Sequence, residues 1–374
     1  ARLLFEMLQG DVVTDGWRSE AVKQALDLCL ACKGCKRDCP VTVDMATYKA
    51  EFLAHYYERR LRPRHAYAFG LIYWWARLGS RVPTITNFVS GAPVLSALVK
   101  GMAGIAPERA VPRFAGKSFR RSFRKHRGRN PDGPTVILWP DTFTNFFHPW
   151  KAEAAVEVLE AAGFDVRVPD APLCCGRPLY DFGMLDLAKR QLRQILDALR
   201  AEIRAGVPIV GLEPSCVSTF RDELPNLLPD DRDAARLKEQ TYMLSEFLDR
   251  QTPRFAWPTL TRRALVHGHC HHRSVLDWSA ETRVLNRMGV DYKVLDSGCC
   301  GMAGSFGFEA DHYSVSQACA ERVLLPRLRE APPETLVITD GFSCNEQIEQ
   351  NLGRRALHLA EVIRLGLAQG EAAT

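Results

Sequence analysis

The chain has 374 residues, 46% hydrophobic and 25% charged, with a formal net charge of +5. That length allows at least two domains, and twelve cysteines in a chain of this size suit a metalloprotein in a reducing compartment better than a disulfide scaffold, which is shorter and denser in cysteine. No charged n-region followed by an apolar run opens the sequence at Ala1, so a cytoplasmic protein is expected, cut from something longer.

Residues 1–130 read as helical, with apolar spacing through 21–30 and 45–61. Between these helices lie Cys29, Cys32, Cys35 and Cys39-Pro40, a C-x2-C-x2-C-x3-C-P run with the bacterial ferredoxin spacing. Two-residue spacers let a loop wrap three thiolates around one 4Fe-4S cubane; the longer spacer and the proline turn the fourth sulfur away, often toward a second cluster. A zinc site usually pairs two C-x2-C knuckles across a longer insert, so the spacing favours iron-sulfur. Residues 82–99 are free of charge, but Pro83, Asn87 and Pro93 interrupt them. With Tyr73, Trp74, Trp75 and Lys100 nearby, the stretch reads as packed helix or as an interfacial docking surface rather than a membrane span. The basic residues from Arg113 to Arg129 read as a solvated linker face, with anionic lipid as the alternative contact. No reader motif accompanies them, so nucleic acid is not an expected partner.

After the linker 130–134, short β-branched runs alternate with helical stretches. Strands are predicted at 135–140, 165–168, 208–212, 264–267, 292–295 and 336–339, the rhythm of α/β units. The cysteines expose a duplication: Cys174-Cys175-Gly176 recurs as Cys299-Cys300-Gly301, and Cys216 recurs as Cys344. At the head of each half, Asp141 aligns with Cys270. The predicted organisation is therefore an α-helical ferredoxin-like domain (1–130) followed by two duplicated α/β cysteine-rich lobes (131–258 and 259–374). The motifs of the second lobe supply four thiols, Cys270, Cys299, Cys300 and Cys344, enough for a 4Fe-4S cluster or a tetrahedral zinc site. The first supplies Cys174, Cys175 and Cys216, with Asp141 where the leading cysteine would stand; it is either a degenerate repeat or a site with an oxygen ligand. Gly301, Gly304 and Gly307 suggest a nest of backbone N–H groups beside the cluster sulfurs, or simply a tight turn. In the run His267-Gly268-His269-Cys270-His271-His272 a strand end alternates faces, so the imidazoles cannot all meet one metal. His269 or His271 is the candidate to sit near the cofactor.

Taken together, the ferredoxin run, the doubled Cys-Cys-Gly modules and Gly341-Phe342-Ser343-Cys344 give a chain that resembles the iron-sulfur part of FAD-linked oxidases of the D-lactate and D-2-hydroxyglutarate dehydrogenase type. It is also similar to the iron-sulfur subunits of glycolate oxidase and anaerobic glycerol-3-phosphate dehydrogenase, and more distantly to heterodisulfide reductase. The resemblance implies 4Fe-4S clusters relaying electrons from a reduced flavin to a quinone or other acceptor, with FAD on an upstream domain or partner subunit; peripheral contact with the inner face of the cell membrane is the alternative read from the uncharged stretch 82–99 and its aromatic neighbours. The resemblance also implies the Cys29, Cys32, Cys35, Cys39 set and the Cys270, Cys299, Cys300, Cys344 set as ligands. Heterodisulfide reductase modules end in C-x2-C, whereas Glu213 and Gly341 stand at the earlier position here, which favours simple electron transfer. A stand-alone subunit docking on a separate flavoprotein, and a zinc-stabilised binding module without redox role, are the alternatives.

Overall fold

The computed structural model of the protein describes residues 1–373. Seven short strands form two parallel sheets: β1 (Thr135–Trp139), β2 (Asp165–Arg167), β3 (Ile209–Gly211) and β4 (Thr241–Met243), then β5 (Arg263–Val266), β6 (Asp291–Val294) and β7 (Leu336–Ile338). The first sheet runs β2-β1-β3-β4 and the second β6-β5-β7. Registers agree across the duplication, with Ile137 opposite Ile209 in one sheet and Ala264 opposite Leu336 in the other. Parallel pairing requires a crossover between strands. The helices Pro149–Ala161 and Trp278–Arg287 supply the first crossover of each lobe. All six expected strands form, and β4 is an addition: three residues between two helices, too short to show an alternating pattern.

One core serves both lobes. Val136, Leu138, Ala264 and Val266 from the sheets pack with Ala152, Ala155, Val158 and Leu159 of the helix Pro149–Ala161. Leu359, Val362 and Ile363 of the helix Leu359–Ala373 complete it, each fully buried. The helix Pro149–Ala161 is apolar around much of its girth because it is covered on more than one side.

The helices before residue 60 have a small core of their own, built on Leu4, Met7, Val22, Leu26, Phe52 and Tyr56. They seat on the first lobe at Gly183, whose φ of +65° and whose closeness to the backbone of the helix Met45–Tyr56 (2.5 Å from a built Cβ to Ala54 N) leave room for no side chain. Arg62 donates to the carbonyls of Phe182 and Gly183, both at 2.9 Å. Farther along, the helices Pro83–Gly91 and Pro93–Ala103 lie on the outside. No residue of the first is buried, and only Ser96 of the second is. No helix among the described residues is long and apolar enough to cross a membrane. Beyond them the chain is pinned to the second lobe, where Ala106 N donates to Phe308 O (2.8 Å) and the fully buried Arg109 donates to Gly307 O (2.6 Å).

Candidate metal centre

The cysteine run occupies the loop after the helix Glu20–Asp27. Ala31 and Lys33 sit at φ +50° and +59°, a conformation that costs non-glycine residues about 1–2 kcal/mol each. Contacts made by this loop offset that cost. The Lys33 ammonium is fully buried and reaches Asp44 (2.9 Å), Asp222 (2.5 Å) and Glu223 (2.8 Å). The Ala31 carbonyl accepts from Arg177 (3.1 Å) and faces His271 Nε2 (3.1 Å). The short helix Gly34–Asp38 then packs on the helix Cys270–Val275, so the run docks on the second lobe. Met45 N donates to Cys35 Sγ at 3.3 Å. Cys39 leaves in extended backbone toward Pro40.

In the second lobe four of the five thiols stand beyond the carboxyl end of a strand, where open α/β sheets build their sites; the fifth, Cys319, lies within the helix Tyr313–Glu321. Cys270 is the first residue of the helix after β5, Cys299 and Cys300 follow β6, and Cys344 lies in the first turn of the helix Phe342–Leu352 after β7. The four form a chain of contacts, Cys270 to Cys299, Cys299 to Cys300, and Cys300 to Cys344. Cys32 lies within electrostatic reach of Cys270, Cys29 and Cys35. Gly301, at φ +84°, would drive a Cβ to 2.2 Å from Ser316 O, so only glycine turns this corner. Its N–H points to Cys299 Sγ (3.4 Å). The other two N–H groups of the expected nest are used within the fold, that of Gly304 by Ser343 Oγ (3.2 Å) and that of Gly307 by Met302 O (2.8 Å).

The histidine run divides three ways. His267 groups with Cys300 and Cys344, His269 and His271 with Cys270, and His272 with Glu281 and Asp340. His269 caps its helix, accepting from His271 N at 3.2 Å.

In the first lobe Cys175 and Cys216 lie 3.0 Å apart, and Cys174 meets Cys175. Asp141 is the N-cap of the helix Thr142–Phe146, accepting from Phe143 N and Thr144 N at 2.9 Å, as His269 caps the equivalent helix. The residue in the place of Cys270 is therefore Thr142, one position later than alignment of the sequence implied. Its hydroxyl donates to Cys174 Sγ at 3.4 Å. Asp141 still takes part: its second carboxylate oxygen is buried without a partner, and burial plus the Glu213 charge push the carboxyl up to about 6. Glu213 spans the lobes, accepting from Ser215 Oγ (2.8 Å) with one oxygen and from Phe342 N (2.8 Å) with the other.

Burial pushes the Cys32 thiol up to about 11, aided by Cys270. Hydrogen bonding to neighbouring sulfur, then burial, holds Cys174 and Cys270 well above the usual thiol range. So many buried sulfurs ionise together only around a cation, and this soft, all-cysteine donor set fits iron-sulfur or zinc. All twelve cysteines are free of disulfides.

Sequence reasoning passed over Lys33 and Arg177, which join the run to the first lobe, and read Glu213 only as the departure from a C-x2-C ending, missing that it bridges the lobes. Arg177, buried beside Cys174-Cys175-Gly176, binds Glu223 (2.6 Å) and Asp181 (3.0 Å). A charge set directly beside a cysteine motif was the available signal. Its partners, 46 positions away in the case of Glu223, gave none.

A cysteine-rich CCG domain model matches residues 143–221 and 268–349. The D-2-hydroxyglutarate dehydrogenase of Escherichia coli is 26% identical over 371 residues, covering 92% of this chain and 35% of the relative. One of the subunits of the anaerobic glycerol-3-phosphate dehydrogenase of Escherichia coli is 29% identical over 292 residues, covering 76% and 72%. Lactate utilization protein A of Bacillus velezensis is 31% identical over 243 residues, covering 61% and 98%. The chain thus spans about a third of the length of the D-2-hydroxyglutarate dehydrogenase it matches.

Proposed function

Because this chain carries the cysteine-rich CCG domain twice and belongs to the family of those relatives, we propose that it is the iron-sulfur electron-transfer portion of a flavin-dependent 2-hydroxy-acid dehydrogenase. One observation carries the reading: the ferredoxin-type run packs on the helix that Cys270 begins, which brings it to the four-thiol group of the second lobe. A 4Fe-4S cluster supplies one-electron transfer without bond making to substrate. Cys29, Cys32 and Cys35 hold one such cluster, Cys39 reaches toward another, and Cys270, Cys299, Cys300 and Cys344 form the second protein site. Cys174, Cys175 and Cys216, with Thr142 and Asp141 beside them, are the incomplete counterpart.

The chain's other residues orient these thiols. Lys33 sets the loop, Gly301 turns the Cys299-Cys300 corner and directs an N–H at sulfur, and Arg177 ties the loop to the first lobe. A flavin-bearing domain or separate subunit delivers the electrons. A separate subunit finds support in the lactate utilization protein, which is matched over 98% of its length. The acceptor is a quinone or other carrier, reached through the outer helices, where Ile85, Phe88, Val94 and Leu98 are exposed and suit contact with the inner face of the cell membrane.

Anaerobic reconstitution with iron and sulfide, followed by metal analysis and EPR, tests the reading. Iron with acid-labile sulfide is expected, and Cys32→Ala should remove the ferredoxin-type signal. Zinc alone, or an unchanged spectrum in that variant, would refute it.

A further inference from the structure

A cluster of polar side chains without sulfur is buried in the second lobe. His272 is the third residue of the helix Cys270–Val275. Residues two apart on a helix do not share a face, so its imidazole is directed away from the Cys270 thiol. His272 is fully buried, and neither of its ring nitrogens has a hydrogen-bond partner. It meets Glu281, in the first turn of the helix Trp278–Arg287, and Asp340, in the loop after β7. One ligand atom from each of the three lies within 4.8 Å of the other two, and no cysteine belongs to the group.

Several features of this cluster call for a cation. Glu281 Oε2 is buried without a partner, as is the hydroxyl of Ser245 beside it. No lysine or arginine among the described residues pairs with either carboxylate; Asp340 has only His272 at 3.9 Å and His358 at 3.4 Å. Oδ1 of Asp340 accepts from Leu359 N at 3.0 Å, which leaves Oδ2 directed at His272. The 3.9 Å from His272 Nδ1 to that oxygen is too long for a hydrogen bond. Two ligands each about 2.0–2.2 Å from one ion, however, lie up to about 4 Å apart. Burial and the Asp340 charge push Glu281 well above the usual carboxyl range, because two adjacent buried carboxylates ionise together only with positive charge between them.

A proton shared by Glu281 and Asp340 would quiet the carboxylates but leave both His272 nitrogens unpaired. Calcium and magnesium favour oxygen ligands. One imidazole with two carboxylates suits an ion of the zinc kind, and the two carboxylates balance its double charge.

We infer that His272, Glu281 and Asp340 form a separate, sulfur-free site for a divalent transition ion of the zinc class. His272 lies two residues after Cys270 and Asp340 four before Cys344, so the ion pins together the two segments that present these thiols. The site goes beyond the electron-transfer reading and does not depend on what the thiols hold.

The test equilibrates the full chain, reconstituted anaerobically with iron and sulfide, against zinc at a free concentration fixed by a chelator. The parent should retain about one zinc per chain more than Glu281→Gln, which keeps the side chain's shape and removes its charge. Loss of a partner behind a metal ligand already costs about 10–100-fold in affinity, so loss of this ligand should weaken the site at least about tenfold. Should Glu281→Gln fail to fold, Asp340→Asn takes its place, since it keeps the oxygen that Leu359 N donates to. The zinc X-ray absorption spectrum of the parent, less that of the variant, should show nitrogen and oxygen ligands at about 2.0–2.2 Å. Equal zinc in the parent and both variants, or sulfur at about 2.3 Å in the difference, would overturn the assignment. Iron and sulfide measured on the same samples report on the thiols separately, so absent clusters would remove the electron-transfer reading and leave the zinc comparison standing.

Discussion

Lys33 shows how much of the centre rests on a single side chain. It lies inside the cysteine run, with a strained backbone and an ammonium buried among three carboxylates from two distant segments. Removing one member of a buried ion cluster leaves the others uncompensated and costs about 3–5 kcal/mol. Lys33→Met should therefore lower stability by about that much and lower the iron bound per chain, measured by urea denaturation and iron analysis of the anaerobically reconstituted protein. The cysteine spacing was legible in the sequence because local geometry dictates it. The clamp was not, because Asp222 and Glu223 lie nearly 190 positions from Lys33 and no local pattern links them. Asp141 and Thr142 teach a related lesson: counting offsets between cysteines placed the repeat correctly to within one residue, and helix capping decided which residue meets the sulfur.

At the scale of elements, strands of Val, Ile and Leu between turn residues were readable, while β4 escaped because three residues carry no period. The outer helices were the ambiguous case. An uncharged run broken by Pro83 and Pro93 fits packed or exposed helix alike, and only tertiary structure shows that the side chains remain outside. One link between elements is sensitive to pH. His312 bridges the turn after the Cys299-Cys300 module to the helix Glu20–Asp27, with Nε2 2.9 Å from Asp27 and Nδ1 3.0 Å from Glu309. Burial alone would depress this imidazole, but its bonds to Asp27 and Glu309 outweigh burial and hold it up at about 9. Lys49 also faces Asp27. A raised folded value means the stabilisation is complete below the unfolded histidine value of about 6.5 and fades as pH rises through about 9. His312→Gln should be less stable than the parent by on the order of 1–2 kcal/mol at pH 6. Urea midpoints should converge by pH 10; a gap that stays constant with pH would show that the imidazolium contributes nothing.

Across the whole molecule the duplication was legible from cysteine spacing, but the joining of its halves was not. Nothing in a local pattern indicates that the helix Leu359–Ala373 closes a core begun by the helix Pro149–Ala161. Burial of Leu359, Val362 and Ile363 is worth about 1.5–3 kcal/mol each. Together that is comparable with the net stability of an ordinary domain, about 5–15 kcal/mol. A chain ending at residue 258 is therefore expected to lack cooperative thermal unfolding and fixed near-ultraviolet circular dichroism, whereas the full chain shows both.

That shared core also sets a timetable for biosynthesis. About 200 residues separate the helix Pro149–Ala161 from the helix that covers it, which at about 5–20 residues per second is roughly 10–40 s on the ribosome. Through that interval the nascent chain exposes apolar surface, and for about its first third Lys33 still lacks Asp222 and Glu223. Cys29, Cys32 and Cys35 emerge long before Cys270 can meet them. On the proposed iron-sulfur reading the second centre can be loaded only after Cys344 has emerged, and until then a chaperone has reason to hold the chain.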